Sequence, residues 1–238
     1  MYKLTNRFNF KTLGLLVFFT ATKAAAQDTT KSLPSLYLIQ NSASYYINVK
    51  VNPELELVEI KSLNPTIVID LKYAGSNNFT HQKIYPKSAK AFLVNKAAVT
   101  LNKIQQEFYQ HGLGLKIYDA YRPYSATKKL WNLVKDERYA ANPLKGSGHN
   151  RGVAVDLTII NLVTMQELDM GTGFDNFSDS SHHTFKNLSK VVLQNRLLLK
   201  TMMEKHGFIS LGTEWWHYSL PYPANYPLLD LSFEMLKK

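Results

Sequence analysis

The run SGHNRGVAVDLTII, residues 147–160, starts with small and polar residues and turns at Gly152 into a segment rich in β-branched side chains. That enrichment predicts a strand from Gly152 to Ile160. His149 and Asp156 stand seven residues apart in it, with Gly152 and Ala154 between them. Small residues at those places let backbone come close to a bound ion.

The surrounding chain alternates strand and helix patterns. Upstream, Thr66 to Tyr73 (TIVIDLKY) alternates branched apolar and polar residues and predicts a strand, closed by the turn cluster Gly75-Ser76-Asn77-Asn78. Ala97, Leu101, Ile104 and Phe108 recur at steps of four, three and four, which places them on one helix face ending at His111-Gly112. Leu115 to Ala120 predicts a second strand, and Pro123 suits the first position of a following helix, where its missing N–H costs nothing. Ala126, Leu130 and Val134 would face the core. Downstream, residues 187–206 carry the longest helical pattern, with Leu188, Val191, Val192, Leu198, Leu199 and Met202 on one side. A last strand is predicted over Thr213 to Leu220. Several connections are long, so the expected class is α+β, with a mixed or mainly antiparallel central sheet flanked by helices. No internal repeat is visible.

The 238 residues are 45% apolar and 19% charged, which is globular rather than disordered or fibrous composition, and suits one sizeable domain with extensions. There is no cysteine, so disulfides, thiol catalysis and Cys-ligated zinc are excluded and any metal must be held by His, Asp or Glu. Residues 1–26 combine a basic start, an apolar stretch from Leu13 to Phe19 and the run Ala24-Ala25-Ala26 before Gln27, the parts of a secretory signal peptide. An uncleaved N-terminal anchor is the alternative. The apolar stretch is far shorter than the roughly 18 residues of a membrane span, so no span is expected after signal removal, and the mature chain is expected in the periplasm or outside the cell. Lys3, Arg7, Lys11 and Lys23 belong to this segment; the remainder has 24 basic against 18 acidic residues, or +6 against +10 for the whole chain. That surplus includes no block of like charge and does not point to nucleic acid. Residues 27–53 are polar without sustained periodicity and are expected to form a linker or loosely packed extension before a domain over 54–238.

Two further motifs carry candidate chemistry. TEWWHY, residues 213–218, offers Glu214 and His217. His149, Asp156 and His217 together would make a three-ligand set that leaves a fourth tetrahedral position open, the pattern of a catalytic zinc site, with Glu214 left over as a base. Singly, each has an ordinary reading: a turn histidine is commonly surface, Asp156 could cap a loop, and a Glu three residues before a His is frequent by chance. Positions three apart also face oppositely in a regular strand, which requires the strand to begin inside the motif or to bulge. YDAYRP, residues 118–123, places Asp119 and Arg122 at a strand end, where a fixed guanidinium could hold an oxyanion or simply form a surface ion pair.

With DLKYAGSNNFT (70–80) and MGTGFDNFSDSSHH (170–183) added, five motifs in order over about 57–226 closely resemble the zinc D-alanyl-D-alanine dipeptidases of the VanX type, within the wider zinc D-Ala-D-Ala peptidase group. The resemblance implies one zinc ion per chain held by His149, Asp156 and His217, with Glu214 as general base and Arg122 stabilising the transition state. It further implies Ser147 at the carboxylate end of a small D-amino-acid dipeptide, with Asp175 and Tyr73 near its ammonium. His182 and His183 are read as structural, and Trp215 and Trp216 as core and pocket wall. The competing functions are a peptidoglycan D,D-carboxypeptidase or endopeptidase and a non-catalytic cell-wall binding module. Oligomeric state is not legible.

Overall fold

The computed structural model describes residues 36–223 and 226–236; the expected signal segment and residues 27–35 lie outside them. In chain order the elements are β1 (Leu38–Ile39), α1 (Ser42–Val51), β2 (Leu57–Glu59), α2 (Ile60–Leu63), β3 (Val68–Ile69), β4 (Phe92–Val94), α3 (Asn95–Tyr109), β5 (Leu113–Asp119), α4 (Tyr124–Val134), β6 (Ala154–Asn161), α5 (Lys190–Lys205), β7 (Ile209–Ser210), β8 (His217–Ser219) and β9 (Leu228–Leu229). Five strands form the central sheet in the order β3-β5-β6-β8-β7. Its β3–β5 pairing is parallel and the rest are antiparallel, so the fold is α+β with a mixed, mainly antiparallel sheet, as expected.

The β-branched run that opened the reading becomes β6, in the middle of this sheet and buried at every residue from Ala154 to Ile160. On one flank β5 pairs with it; on the other, β8 does. A register shift between Ile117 and Asp119 sets Asp119 opposite Asp156, and the β8 pairing sets Asp156 opposite His217. Directly opposed residues on antiparallel strands have Cβ atoms about 5 Å apart. The sheet thus lines up three chemically active side chains across adjacent strands.

Helix α3 buries Ala97, Leu101, Ile104 and Phe108, the face its spacing predicts. Burying each of its larger apolar side chains stabilises the fold by roughly 1.5–3 kcal/mol. On the same helix Gln105 is buried, and its Oε1 accepts from the Leu115 N–H at 2.7 Å, which ties α3 to the start of β5. Pro123 serves as the N-cap of α4 rather than its first residue, and α4 buries Ala126 and Leu130, with Val134 half-buried.

Three expectations are corrected. The described part of 27–53 is not a linker: β1 pairs in parallel with β9, and α1 buries Tyr45, whose hydroxyl accepts from the Leu57 N–H at 2.6 Å. The strand predicted over Thr66–Tyr73 is confined to Val68–Ile69, because Lys72–Ala74 winds into a 3-10 turn that buries Tyr73. Helix α5 packs through Val192, Arg196, Leu199 and Met203, while Val191 and Leu198 are exposed. The buried row is rotated from the apolar one since a charged residue, Arg196, is drawn inward by backbone acceptors. Among the described residues no helix is long and apolar enough to cross a membrane.

Candidate active site

All eight residues singled out in the sequence, Tyr73, Arg122, Ser147, His149, Asp156, Asp175, Glu214 and His217, line one cavity of about 340 Å³. His149 opens a 3-10 turn that leads into β6. Its Nδ1 lies 2.7 Å from the Ala120 carbonyl, which can only accept, so Nδ1 carries the proton and Nε2 presents its lone pair to the cavity. Gly152 ends that turn at φ 67, and a Cβ there would lie 2.6 Å from a Leu57 methyl. Glycine is therefore required by a left-handed turn packed on β2, not by approach to an ion.

Donor atoms of His149, Asp156 and His217 all lie within 4.8 Å of one another. His149 Nε2 is 3.2 Å from His217 Nδ1 and 3.4 Å from Asp156 Oδ2, and His217 Nδ1 is 2.9 Å from Asp156 Oδ1. Burial pushes the Asp156 carboxyl up, but the charge and hydrogen bonds of the two imidazoles outweigh it and hold the group well below the usual carboxylate range. The imidazole nitrogens of His149 and His217 and the Asp156 carboxylate point at one spot, a donor set able to hold a divalent cation.

Glu214 lies in the turn before β8: its N–H donates to the Leu211 carbonyl at 3.1 Å, and its own carbonyl accepts from the His217 N–H at 3.4 Å. The chain enters the strand only at His217, so the two side chains can face one side, with Glu214 Oε2 4.0 Å from His217 Nδ1. Burial pushes the Glu214 carboxyl up to about 8; His217 opposes this, and Asp156 and Asp175 add to it. A carboxyl of that proton affinity is suited to exchanging protons near neutrality.

Arg122 is not on the surface. Its Nε and Nη2 donate to Asp119 Oδ2 at 2.9 and 2.7 Å, and its guanidinium stands 5.3 Å from the Tyr73 ring centroid. Asp119 is fully buried and also accepts at Oδ1 from the Tyr85 hydroxyl at 2.8 Å and the Ala120 N–H at 3.0 Å. Burial disfavours the Arg122 charge, and Asp119 above all more than compensates, so its pKa is raised and the cation is secure. Sequence reasoning gave Asp119 no part in the site beyond an ion pair; the structure makes it the anchor of Arg122. Asn150, inside the quoted motif, was also passed over. Its Nδ2 donates to the Arg122 carbonyl and to Thr127 Oγ1, each at 2.8 Å, and its Oδ1 accepts from the Ser147 N–H at 3.0 Å.

At the far wall the Tyr73 hydroxyl donates to Asp175 Oδ2 at 2.9 Å. Burial, with Asp156 adding to it, pushes the Asp175 carboxyl up to about 8, while the Tyr73 hydrogen bond works the other way. Ser147 Oγ accepts from the His149 N–H at 3.1 Å. A larger cavity of about 820 Å³ lies beyond Phe79 and Asp175, which line both, and holds none of the three converging donors. Trp215 lines that second cavity and Trp216 is buried core; neither walls the first. His182 and His183 line neither, in keeping with a structural reading. Burial, aided by Lys200 and Arg196, pushes the His183 imidazole down to about 4.

Comparison with known proteins identifies the family. The D-ala-D-ala dipeptidase family matches residues 53–234. A D-alanyl-D-alanine dipeptidase of Escherichia coli (strain K12) is 40% identical over 178 residues, covering 75% of this chain and 91% of that protein. Proteins of the same name from Enterococcus faecalis (strain ATCC 700802 / V583) and Streptomyces coelicolor (strain ATCC BAA-471 / A3(2) / M145) are 37% and 32% identical, each over 66% of this chain and 89% of its own length. Among solved structures the LdcB LD-carboxypeptidase, with a TM-score of 0.35 and 19% identity over 54% of this chain and 59% of that one, is too distant to extend the fold assignment. A family match over most of the described chain, joined to relatives of 32–40% identity, places this protein in the D-Ala-D-Ala dipeptidase family of metallopeptidases.

Proposed function

We propose that the protein is an exported zinc dipeptidase that hydrolyses D-alanyl-D-alanine or a close D-amino-acid dipeptide. The observation that carries this reading is the convergence of His149, Asp156 and His217 with Glu214 and Arg122 in one cavity of about 340 Å³. The donor set suits zinc: ligand atoms held at 2.0–2.1 Å in a tetrahedron lie about 3.3 Å apart, close to the 3.2 and 3.4 Å from His149 Nε2 to the other two donors. One zinc ion bound there supplies a Lewis acid that polarises a carbonyl and lowers the pKa of water toward about 7.

The chain's own groups do the rest. Glu214 takes the proton of the attacking water at its carboxylate and returns it to the departing amine, so that water is consumed and two amino acids leave. Arg122, fixed by Asp119, meets negative charge as it develops on the carbonyl oxygen, and stabilises the tetrahedral state more than the planar one. Asp175, with Tyr73 donating to it, suits a free ammonium, and Ser147 suits the carboxylate end. An extended peptide brings an amide instead of the ammonium, so the Asp175 carboxyl loses the cation that favours its ionised form. Export rests on the basic and apolar N-terminal pattern with its alanine run, and puts the enzyme beside wall-derived dipeptides.

The test is hydrolysis of free D-alanyl-D-alanine, its N-acetyl derivative and a stem pentapeptide by zinc-loaded protein, with Glu214→Gln as control. Cleavage of the free dipeptide alone is expected, and Glu214→Gln should keep its zinc while kcat falls about 10²–10⁴-fold. A second reading, a wall D,D-carboxypeptidase, draws on the adjoining 820 Å³ cavity and would appear as cleavage of the longer substrates. Full activity in Glu214→Gln would refute the base assignment.

A further inference from the structure

Arg196 is buried in α5 outside the 340 Å³ cavity, and no carboxylate lies within 4.0 Å of it among the described residues. All its hydrogen bonds go to one segment that has no regular structure beyond a 3-10 turn at Asp179–Ser181. Its Nε donates to the Met170 carbonyl at 2.8 Å and its Nη2 to Thr172 Oγ1 at 3.4 Å, at the start of that segment. Its Nη1 donates to the Ser180 carbonyl at 2.9 Å and the His182 carbonyl at 3.4 Å, at the end. A planar fork of donors thus closes the loop that carries Asp175, giving backbone carbonyls the partners that a helix or sheet would otherwise supply.

The same network reaches Glu214. Ser181 Oγ–H donates to the Asn176 carbonyl at 2.7 Å, so in the 3.1 Å contact between the Thr172 and Ser181 hydroxyls Thr172 is the donor. Thr172 Oγ1 then accepts from Trp215 Nε1 at 2.8 Å and from Arg196, which fills the capacity of a hydroxyl. The Trp215 N–H donates to the Ser181 carbonyl at 3.1 Å, and the Arg196 guanidinium stands 6.0 Å from the Trp215 ring. One end of this chain of bonds is therefore adjacent in sequence to Asp175, through Asn176, and the other adjacent to Glu214, through Trp215.

We propose that Arg196 is a positioning residue that sets the Asp175 loop and the Glu214 turn as one unit, so that ammonium recognition and proton transfer depend on it together. This rests on the functional reading of Asp175 and Glu214 given above. The zinc donors belong to β6, β8 and the turn before β6, and Arg196 makes no hydrogen bond to any of them, so metal binding is separable from it. Lysine, a point charge on a flexible stem, keeps the cation but cannot span four acceptors.

The experiment compares Arg196→Lys and Thr172→Val with the parent in zinc content, melting temperature, kcat and KM for D-alanyl-D-alanine, and hydrogen–deuterium exchange. Arg196→Lys is expected to keep its zinc and fold, while KM rises and kcat falls, each about tenfold, as a misplaced site requires. Exchange should quicken in 171–182 and 211–216 together and stay unchanged in β6. Thr172→Val, which removes the hub hydroxyl but no charge, should move the same parameters in the same directions, and decides the matter if Arg196→Lys does not fold. Folded variants with kcat and KM within twofold of the parent, or quickened exchange in only one of the two segments, would overturn the proposal. Should the parent not hydrolyse the dipeptide, the functional reading fails separately, and the paired exchange response still decides the coupling.

Discussion

Asp119→Asn exchanges one oxygen for an NH2 group at a fully buried site. Asp119 is fully buried and takes four hydrogen bonds, two from Arg122 on Oδ2 and one each from Tyr85 and the Ala120 N–H on Oδ1. Asparagine has one accepting oxygen. If that oxygen faces Arg122, the new NH2 faces the Ala120 N–H; if it faces Ala120, the NH2 faces a guanidinium. Either orientation sets donor against donor and leaves a buried cation without its counter-charge, a change that costs about 3–5 kcal/mol. For a protein of this length that lowers the melting temperature by about 6–20 °C. The carboxylate next in reach of Arg122 is Asp156, 4.0 Å from Nη2, so the guanidinium is expected to relax toward Asp156 and away from the carbonyl oxygen it is proposed to stabilise. Loss of one such oriented donor lowers kcat by about 10²–10³-fold. Denaturant unfolding gives the stability term, and D-alanine release from D-alanyl-D-alanine gives the kinetic one, with zinc content measured on the same samples. A stability loss below about 1 kcal/mol, the level of an exposed pair, would show that the Asp119–Arg122 bond is not the anchor; an unchanged kcat would remove Arg122 from the oxyanion role.

Chelation should abolish hydrolysis and lower the melting temperature, with zinc restoring both; free zinc at 1,000 times its dissociation constant corresponds to about 4 kcal/mol of stabilisation. In His149→Ala the added zinc should give little of that shift, and a full shift would exclude His149 as a ligand. Asp175 predicts a pH effect on the metal-stripped protein. Its folded pKa of about 8 lies above the unfolded value, so the stability its proton confers is complete below about pH 4 and is lost as pH rises through 8. Asp175→Asn carries no such titration and should gain on the parent by about 2–3 kcal/mol between pH 4 and 8, water around the half-buried residue offsetting part of the shift. A difference that stays flat over that window would show that Asp175 is not held protonated.

Legibility in the sequence followed how many residues repeat a pattern against one neighbour. Helix α3 offers four turns of steady spacing, and β5 and β6 pair over most of their length, so all three were readable. Strand β3 pairs over two residues only, and the chain then leaves the sheet so that Tyr73 can bury its ring and reach Asp175. No alternation of polar and apolar residues announces that departure. Helix α1 sinks a single residue, Tyr45, and is held by a side-chain cap and one long-range hydrogen bond, contacts that leave no periodic trace. In α5 the buried face has a definite cause: apolarity ranks Val191 and Leu198 above Arg196, but the loop carbonyls of Met170 and Ser180, which take hydrogen bonds from its guanidinium, outweigh that ranking.

The site divides along the same line. Residues that share a local motif, His149 with Asp156 and Glu214 with His217, were legible because their chemistry and spacing lie within ten residues of each other. The difficulty over Glu214 and His217 dissolved because the strand starts at His217, a boundary that spacing alone could not place. Asp119 was a different matter. It meets Asp156 only because the β5–β6 register shifts between Ile117 and Asp119, and Asp156 meets His217 only through the β6–β8 pairing. In a strand, one residue of slip sends every side chain to the opposite face, so that irregularity decides whether the anchor of Arg122 faces the metal-site carboxylate or the other side of the sheet. The residues that line the candidate site can thus be read from motifs, while their mutual orientation is written in strand register, which no single motif contains.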